Sequence, residues 1–242
     1  METNRFYREN IKAKNLVFFQ ACVEQTDLYI GAEVNLKEKA TSFIREYRQQ
    51  LIDYIKRHPE FLHSLVPIKA KGFAPPIAVD MCNASSLAGV GPMAAVAGAM
   101  SKFVGYKLLE FTDEVIVENG GDIFIKSNTE RIIGVYAGNS PLSGKIALKV
   151  SKDKTPCGIC TSSGTVGHSL SFGKADAALV VHPDASVADA CATALGNSIK
   201  GSEDIEDALS NINKVPGIRG ALVIVGEAFG AIGDIEICRI QG

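Results

Sequence analysis

The sequence predicts an α+β protein in which antiparallel sheets carry helices on one face, built as two similar halves of about residues 1–126 and 127–242. Three observations predict it. Short apolar runs come in pairs around polar or glycine turns, as hairpin strands do. The helical stretches lie between those pairs rather than after each single strand, so a doubly wound parallel sheet is the weaker alternative. Val115-Ile116-Val117, a glycine turn and Gly121-Asp122-Ile123 are also echoed by Val223-Ile224-Val225, a glycine-containing turn and Gly233-Asp234-Ile235, as in a duplicated chain.

The elements follow in order. Residues 16–23 and 27–30 flank the turn Glu24-Gln25-Thr26 as a first hairpin. Between 36 and 57, Phe43, Ile44, Tyr47, Leu51, Tyr54 and Ile55 recur at helical spacing, with Asn35 as N-cap and His58-Pro59 as the stop. Residues 84–109 are dominated by Ala, Gly, Val and Met, which lets a buried helix approach a sheet or ligand closely. Strands are expected at 114–117, 122–126, 132–136, 145–150 and 177–181, then a small-residue helix at 187–198 and an amphipathic one at 205–212. Two strands, 221–225 and 234–240, end the chain.

Composition narrows the function. Of 242 residues 46% are hydrophobic and 21% charged, an ordinary globular balance able to bury a large core. The net charge of −2, with no basic stripe, removes the electrostatic basis for nonspecific nucleic-acid binding. Met1 to Arg8 lack the apolar core of a signal peptide, and the apolar stretch 87–100 is too short to span a bilayer, so a cytoplasmic protein without a membrane partner is expected. The six cysteines, at 22, 82, 157, 160, 191 and 238, read as reduced thiols.

Three segments carry candidate chemistry. Asn119-Gly120-Gly121-Asp122 sits between two strands, where paired glycines suit either a tight hairpin or a backbone cradle for phosphate, with Asp122 placed to hold a metal or a ribose hydroxyl. Ser162-Ser163-Gly164-Thr165 offers hydroxyl and backbone donors for an anion. Asp189 and Thr193 share one helix face and suit either Mg²⁺, which prefers oxygen ligands, or a first-turn Asp with a Thr bonded back to its own turn. Cys157-Gly158-Ile159-Cys160, with Cys82 and His168, raises the alternative of sulfur chemistry, while a structural zinc site lacks its second ligand pair. His182 ends a strand just before the Asp189 helix.

In order and spacing, Asn119-Gly120-Gly121-Asp122-Ile123, Thr161-Ser162-Ser163-Gly164 and Ala188-Asp189-Ala190-Cys191-Ala192-Thr193-Ala194-Leu195 resemble the ApbE-like family. The stretch Ala88 to Gly98 resembles an uncharacterised branch of it. The resemblance covers roughly residues 80–240 and implies a duplicated tunnelling-type fold (T-fold). Family members are Mg²⁺-dependent transferases that bind FAD and attach FMN to a threonine of a target protein. By resemblance, Asp189 and Thr193 are metal ligands, and Gly120, Gly121 and Asp122 line the flavin nucleotide site. Pro92-Met93 stand where transferases carry Lys-Gly, and no His-Asp-Pro segment follows the Ser-Gly motif, so the motifs imply binding of a phosphate-bearing molecule more than they imply transfer. The other expectations are a cysteine-based sulfur-handling protein and a non-catalytic relative. A homo-oligomer joined through sheet edges is expected in any case.

Overall fold

The computed structural model describes residues 15–164 and 172–240. The chain opens with the hairpin β1 (Val17–Val23) and β2 (Thr26–Ala32), paired from Val17 opposite Ala32 to Val23 opposite Thr26. The helix α1 (Lys37–Arg57) buries Ile44, Tyr47, Leu51 and Tyr54, the stripe that its periodicity predicts. Asn35 lies one residue outside the expected cap position: its side chain takes the Lys37 N–H at 3.0 Å while Leu36 is the boundary residue. A one-turn helix, α2 (Glu60–His63), follows Pro59 and packs Phe61 edge-on against Tyr54.

The expected single stretch 84–109 is two helices, α3 (Pro76–Ala88) and α4 (Val96–Leu108), separated by a 3₁₀ turn at Pro92–Ala95. Gly89 takes the left-handed conformation (φ 72°) that ends α3, and Pro92 cannot continue a helix, so the break is local and steric. The hairpin β3 (Val115–Asn119) and β4 (Asp122–Lys126) comes next, then β5 (Arg131–Gly134) and β6 (Ile146–Val150). After these come β7 (Cys157–Ser162), β8 (Ala177–His182), α5 (Ala185–Ser198), α6 (Ile205–Ile212), β9 (Gly220–Val225), β10 (Ala228–Gly233) and β11 (Glu236–Arg239).

Eight strands form one sheet in the order β1-β2-β3-β4-β7-β8-β9-β10, and β11-β6-β5 form a second. Every adjacent pair among the described residues is antiparallel, which corrects the doubly wound alternative. The helices cover one face of the large sheet through a core that includes Ile30, Ile44, Met81, Val104, Val180 and Leu195. The small sheet covers the other face, with Ile133, Leu148 and Val150 against Ile125, Ile159 and Leu222. The strand expected at 234–240 is β11, and β10, unexpected from the sequence, stands before it. Gly233-Asp234 therefore closes β10, whereas Gly121-Asp122 opens β4, and the two sequence echoes occupy different positions. Among the described residues no single helix is long and apolar enough to cross a membrane.

Candidate functional site

The small residues of α4 and α5 let the two helices touch. Gly98 has no side chain because a Cβ there would lie inside van der Waals contact of the Ala185 carbonyl oxygen and 2.7 Å from the Asp189 Cβ. At that closeness the first turn of α4 presents its N–H groups to α5. The boundary residue Ala95 has no capping side chain, and the Gly98 N–H donates instead to Asp189 Oδ2 at 2.8 Å, with Ala97 contributing a second backbone N–H. Asp189 is 8% exposed. Burial pushes its carboxyl up to about 7, against the pull of those two N–H groups.

The β3–β4 turn arrives from the other side. Gly120 and Gly121 both have positive φ (67° and 107°), the requirement of a two-residue hairpin turn. The Gly121 N–H donates to Glu118 Oε1 at 2.8 Å, so the turn satisfies this donor internally, and Asn119 Nδ2 donates to the Ala97 carbonyl at 3.2 Å, tying the turn to α4. Asp122 is buried beside the end of β7, where the Thr161 N–H pulls on its carboxylate and the Cys160 thiol, which donates to the Ala185 carbonyl at 3.4 Å, lies beside it. Its Oδ1 is buried with no hydrogen-bond partner. Burial first, then the Asp189 charge, raise the Asp122 carboxyl well above the usual range. Two interior acids thus lie close enough for one to raise the other, and among the described residues no ion pair joins a Lys, Arg or His to either.

The remaining predicted residues spread along α5. Thr193, half-buried, lies one turn beyond Asp189 on the same face. Ser162 Oγ lies 3.2 Å from where a Gly196 Cβ would stand, roughly 10 Å further along the helix than Asp189. Gly164 donates its N–H to Ala175 O at 2.9 Å and backs onto Gly173, which leans on Gly196. Ser163 follows Ser162 at the end of β7, and Thr165 and His168 lie outside the described residues. The structure therefore gathers Gly121, Asp122, Thr161 and Asp189 at one place and sets Ser162 and Gly164 two turns down α5.

The thiols are arranged differently from a redox pair. Three positions apart on a strand, Cys157 faces the core under the small sheet and Cys160 the helical core. Burial pushes the Cys157 thiol up to about 11 and Cys191 to about 12, and lifts Cys82 as well. Cys160 is raised by burial and then by the charges of Asp122 and Asp189. Each is held as a thiol, against the low pKa that sulfur transfer requires. His182 spends both ring nitrogens on backbone: Nδ1 accepts from the Asp184 N–H at 2.9 Å, and Nε2 faces the Pro216 carbonyl at 3.2 Å.

Sequence reasoning missed Ala97 and Gly98, which act through backbone N–H groups, and the placement of Cys160 beside Asp122. Among the described residues no group of three or more His, Cys, Asp or Glu is arranged to hold a metal. The donor set is nevertheless that of a small hard cation completed by ligand or water oxygens: two carboxylates, one with an orphaned oxygen, and the Thr193 hydroxyl one turn away.

A family profile described as AbpE bacteria matches residues 8–236. A UPF0280 protein of Methanococcus aeolicus is 44% identical over 214 residues, 86% of this chain and 84% of that protein. A UPF0280 protein of Methanothermobacter thermautotrophicus is 44% identical over 200 residues, 81% of this chain and 77% of that protein. Among solved structures, the flavin transferase ApbE of Vibrio cholerae superposes with a TM-score of 0.58 at 11% identity, covering 90% of this chain and 96% of that one. The ApbE protein of Thermotoga maritima gives 0.58 at 13% identity over 89% and 96%. At such identities the structural likeness is one of fold, whereas the profile and the 44% identical relatives are matches of sequence over most of the chain. The chain belongs to the AbpE bacteria family, in the UPF0280 branch of the ApbE-like proteins.

Proposed function

We propose that the region where the Gly120-Gly121 turn, the end of β7 and α5 meet binds a flavin nucleotide, FAD or FMN, or another small phosphate-bearing molecule, together with a divalent cation such as Mg²⁺. The observation that carries this is the buried Asp122 Oδ1 without a partner, set against a second buried carboxylate at Asp189. Two such acids are costly in a closed interior unless a proton or a cation lies between them. Asp189, Thr193 and Asp122 hold the cation in this reading. Asn119, Gly120, Gly121, Ser162, Ser163, Gly164 and Thr165 line the ligand, with about 10 Å between the Asp189 turn and Ser162 matching the length of a diphosphate-bearing molecule. The cation, when bound, neutralises phosphate oxygens beside the acids. Ala97 and Gly98 hold Asp189 in place, and the Thr161 N–H orients Asp122, with the Cys160 thiol beside it.

Titrating the protein with FAD and Mg²⁺ by calorimetry, while assaying AMP release, tests this. Binding that needs the cation and weakens at least about tenfold in Asp189→Asn supports it. No binding at millimolar FAD and ADP overturns it, and AMP release would extend binding to transfer.

The same reading takes the two halves, residues 1–126 and 127–242, as a T-fold duplication. It is supported by their common order of hairpin, helices, hairpin in the large sheet. It places the protein in the cytoplasm, and as a homo-oligomer: the terminal strands β1 and β10 carry no charged residue to protect their edges, so sedimentation should show more than a monomer.

A further inference from the structure

One turn along each helix from the Gly98–Asp189 bond lies a second polar cluster that the ligand does not require. Lys102 on α4 is 7% exposed. Its ammonium contacts Asp80 Oδ1 at 2.6 Å and both oxygens of Asp184 at 2.8 Å. Asp80 stands on α3, and Asp184 is the N-cap of α5, with Oδ1 accepting from Ser186 N at 2.8 Å and Val187 N at 3.4 Å. Ser186 Oγ closes the cluster on Asp80 Oδ2 at 2.5 Å. Lys102 thus joins three helices and grips the residue that starts α5.

A buried ammonium shared by two carboxylates is a weak source of stability, because desolvation offsets most of the attraction. Its geometry is what it fixes. Lys102 is four residues past Gly98 and Asp184 is five residues before Asp189, so the ion pair and the Gly98–Asp189 hydrogen bond are two rungs between the same pair of helices. Because no Cβ separates the helices at Gly98, a slip of about 1 Å between them removes the hydrogen bond and turns the Asp189 carboxylate.

We propose that Lys102 is the positioning residue of the site: by bridging Asp80 and the α5 cap Asp184 it sets the register of α4 on α5 that holds the Gly98 N–H on Asp189 and so aims the carboxylate at the cation. The second half of this statement rests on Asp189 being the ligand of the cation; the register does not.

The test measures amide exchange at Gly98 and Mn²⁺ affinity by paramagnetic resonance on the full chain of wild type, Lys102→Met, Lys102→Arg and Ser186→Ala. Lys102→Met should speed Gly98 exchange by about tenfold or more while amides of β7 and β8 keep their rates. It should also weaken Mn²⁺ binding by about tenfold or more. Lys102→Arg should recover most of both. Ser186→Ala, which keeps all three charges, should shift both in the same direction by less. An unchanged Gly98 rate, or a rise spread evenly over the chain with a lower Tm, overturns the proposal in favour of a merely structural ion pair. If Lys102→Met does not fold, wild-type Gly98 rates in both Lys102→Arg and Ser186→Ala overturn it. Wild type that takes up no Mn²⁺ at millimolar concentration defeats the cation reading, and the Gly98 rates still decide the register.

Discussion

Glu114 and Asp122 stand near the two ends of the β3–β4 hairpin, both buried, and the structure treats them in opposite ways. Burial alone would lift Glu114, but the Ser127 hydroxyl, the Asn128 N–H and the Arg131 guanidinium hold it below the usual carboxylate range, with Arg131 at 2.8 Å. Burial likewise acts on Asp184, and Lys102 and two backbone N–H groups bring it down. Asp122 and Asp189 have burial and, among the described residues, no ion pair, and both are pushed up. Fully paired acids are what a fold needs to hold its own parts together. The pair left with an orphaned oxygen is the feature on which the proposed binding rests.

The largest effect should come from the paired side. Arg131→Met strands the buried Glu114 charge and should lower unfolding free energy by about 3–5 kcal/mol in urea titrations. Asp122→Asn should leave metal-free stability at pH 8 unchanged or higher by about 1 kcal/mol, since it removes a repelled charge. Equal losses in the two variants would erase the contrast.

The pH dependence should differ in sign. A carboxyl raised in the folded state binds its proton more tightly there, so its contribution is complete below the ordinary carboxylate pKa and disappears as pH rises through the folded value, about 7 for Asp189. Metal-free protein should therefore lose stability between about pH 4 and pH 8, by on the order of 4 kcal/mol at most. Asp189→Asn should flatten that slope, and added Mg²⁺ should restore stability at pH 8. Glu114 and Asp184, lowered in the folded state, lose their contribution as pH falls instead. A slope unaffected by Asp189→Asn would mean that another group titrates there.

Gly98→Ala should cost about 1–3 kcal/mol, because the new methyl group must push α4 off Ala185 and Asp189. Its signature is the loss of Gly98 amide protection beyond the loss in Tm. Least perturbing is thiol labelling at pH 7: exposed Cys22 should react first, and Cys82, Cys157, Cys160 and Cys191 only on unfolding. Fast labelling of Cys160 in the folded protein would return sulfur chemistry to consideration.

Much of this was legible in the residues. The α1 stripe, the hairpin turn at Gly120-Gly121 and the shared face of Asp189 and Thr193 follow from spacing alone. The break between α3 and α4 was hidden because Gly89-Val90-Gly91-Pro92 lies inside a run of uniformly small residues, and β10 because Ala228 to Gly233 holds two glycines and no alternation of charge. At the site, Asp122, Asp189 and Thr193 could be nominated from their side chains. The groups that hold Asp189 could not, since a backbone N–H at the start of a helix has no signature in sequence and lies 91 positions away. Lys102, Asp80 and Asp184 form no motif in the sequence, and only the packing of three helices makes them a cluster.

The first turn of α4 has no cap of its own, and the acceptor that completes it is made 91 residues later. During synthesis that turn has open N–H groups until α5 has emerged and docked, so a fragment ending before residue 189 should show residues 96–99 frayed even where the rest of the helix has formed. The carboxylate proposed to hold the cation is then also the last piece of a much earlier helix. Truncation or slow folding of the C-terminal part should be felt as disorder near Gly98, far upstream in the chain, before it is felt as lost binding.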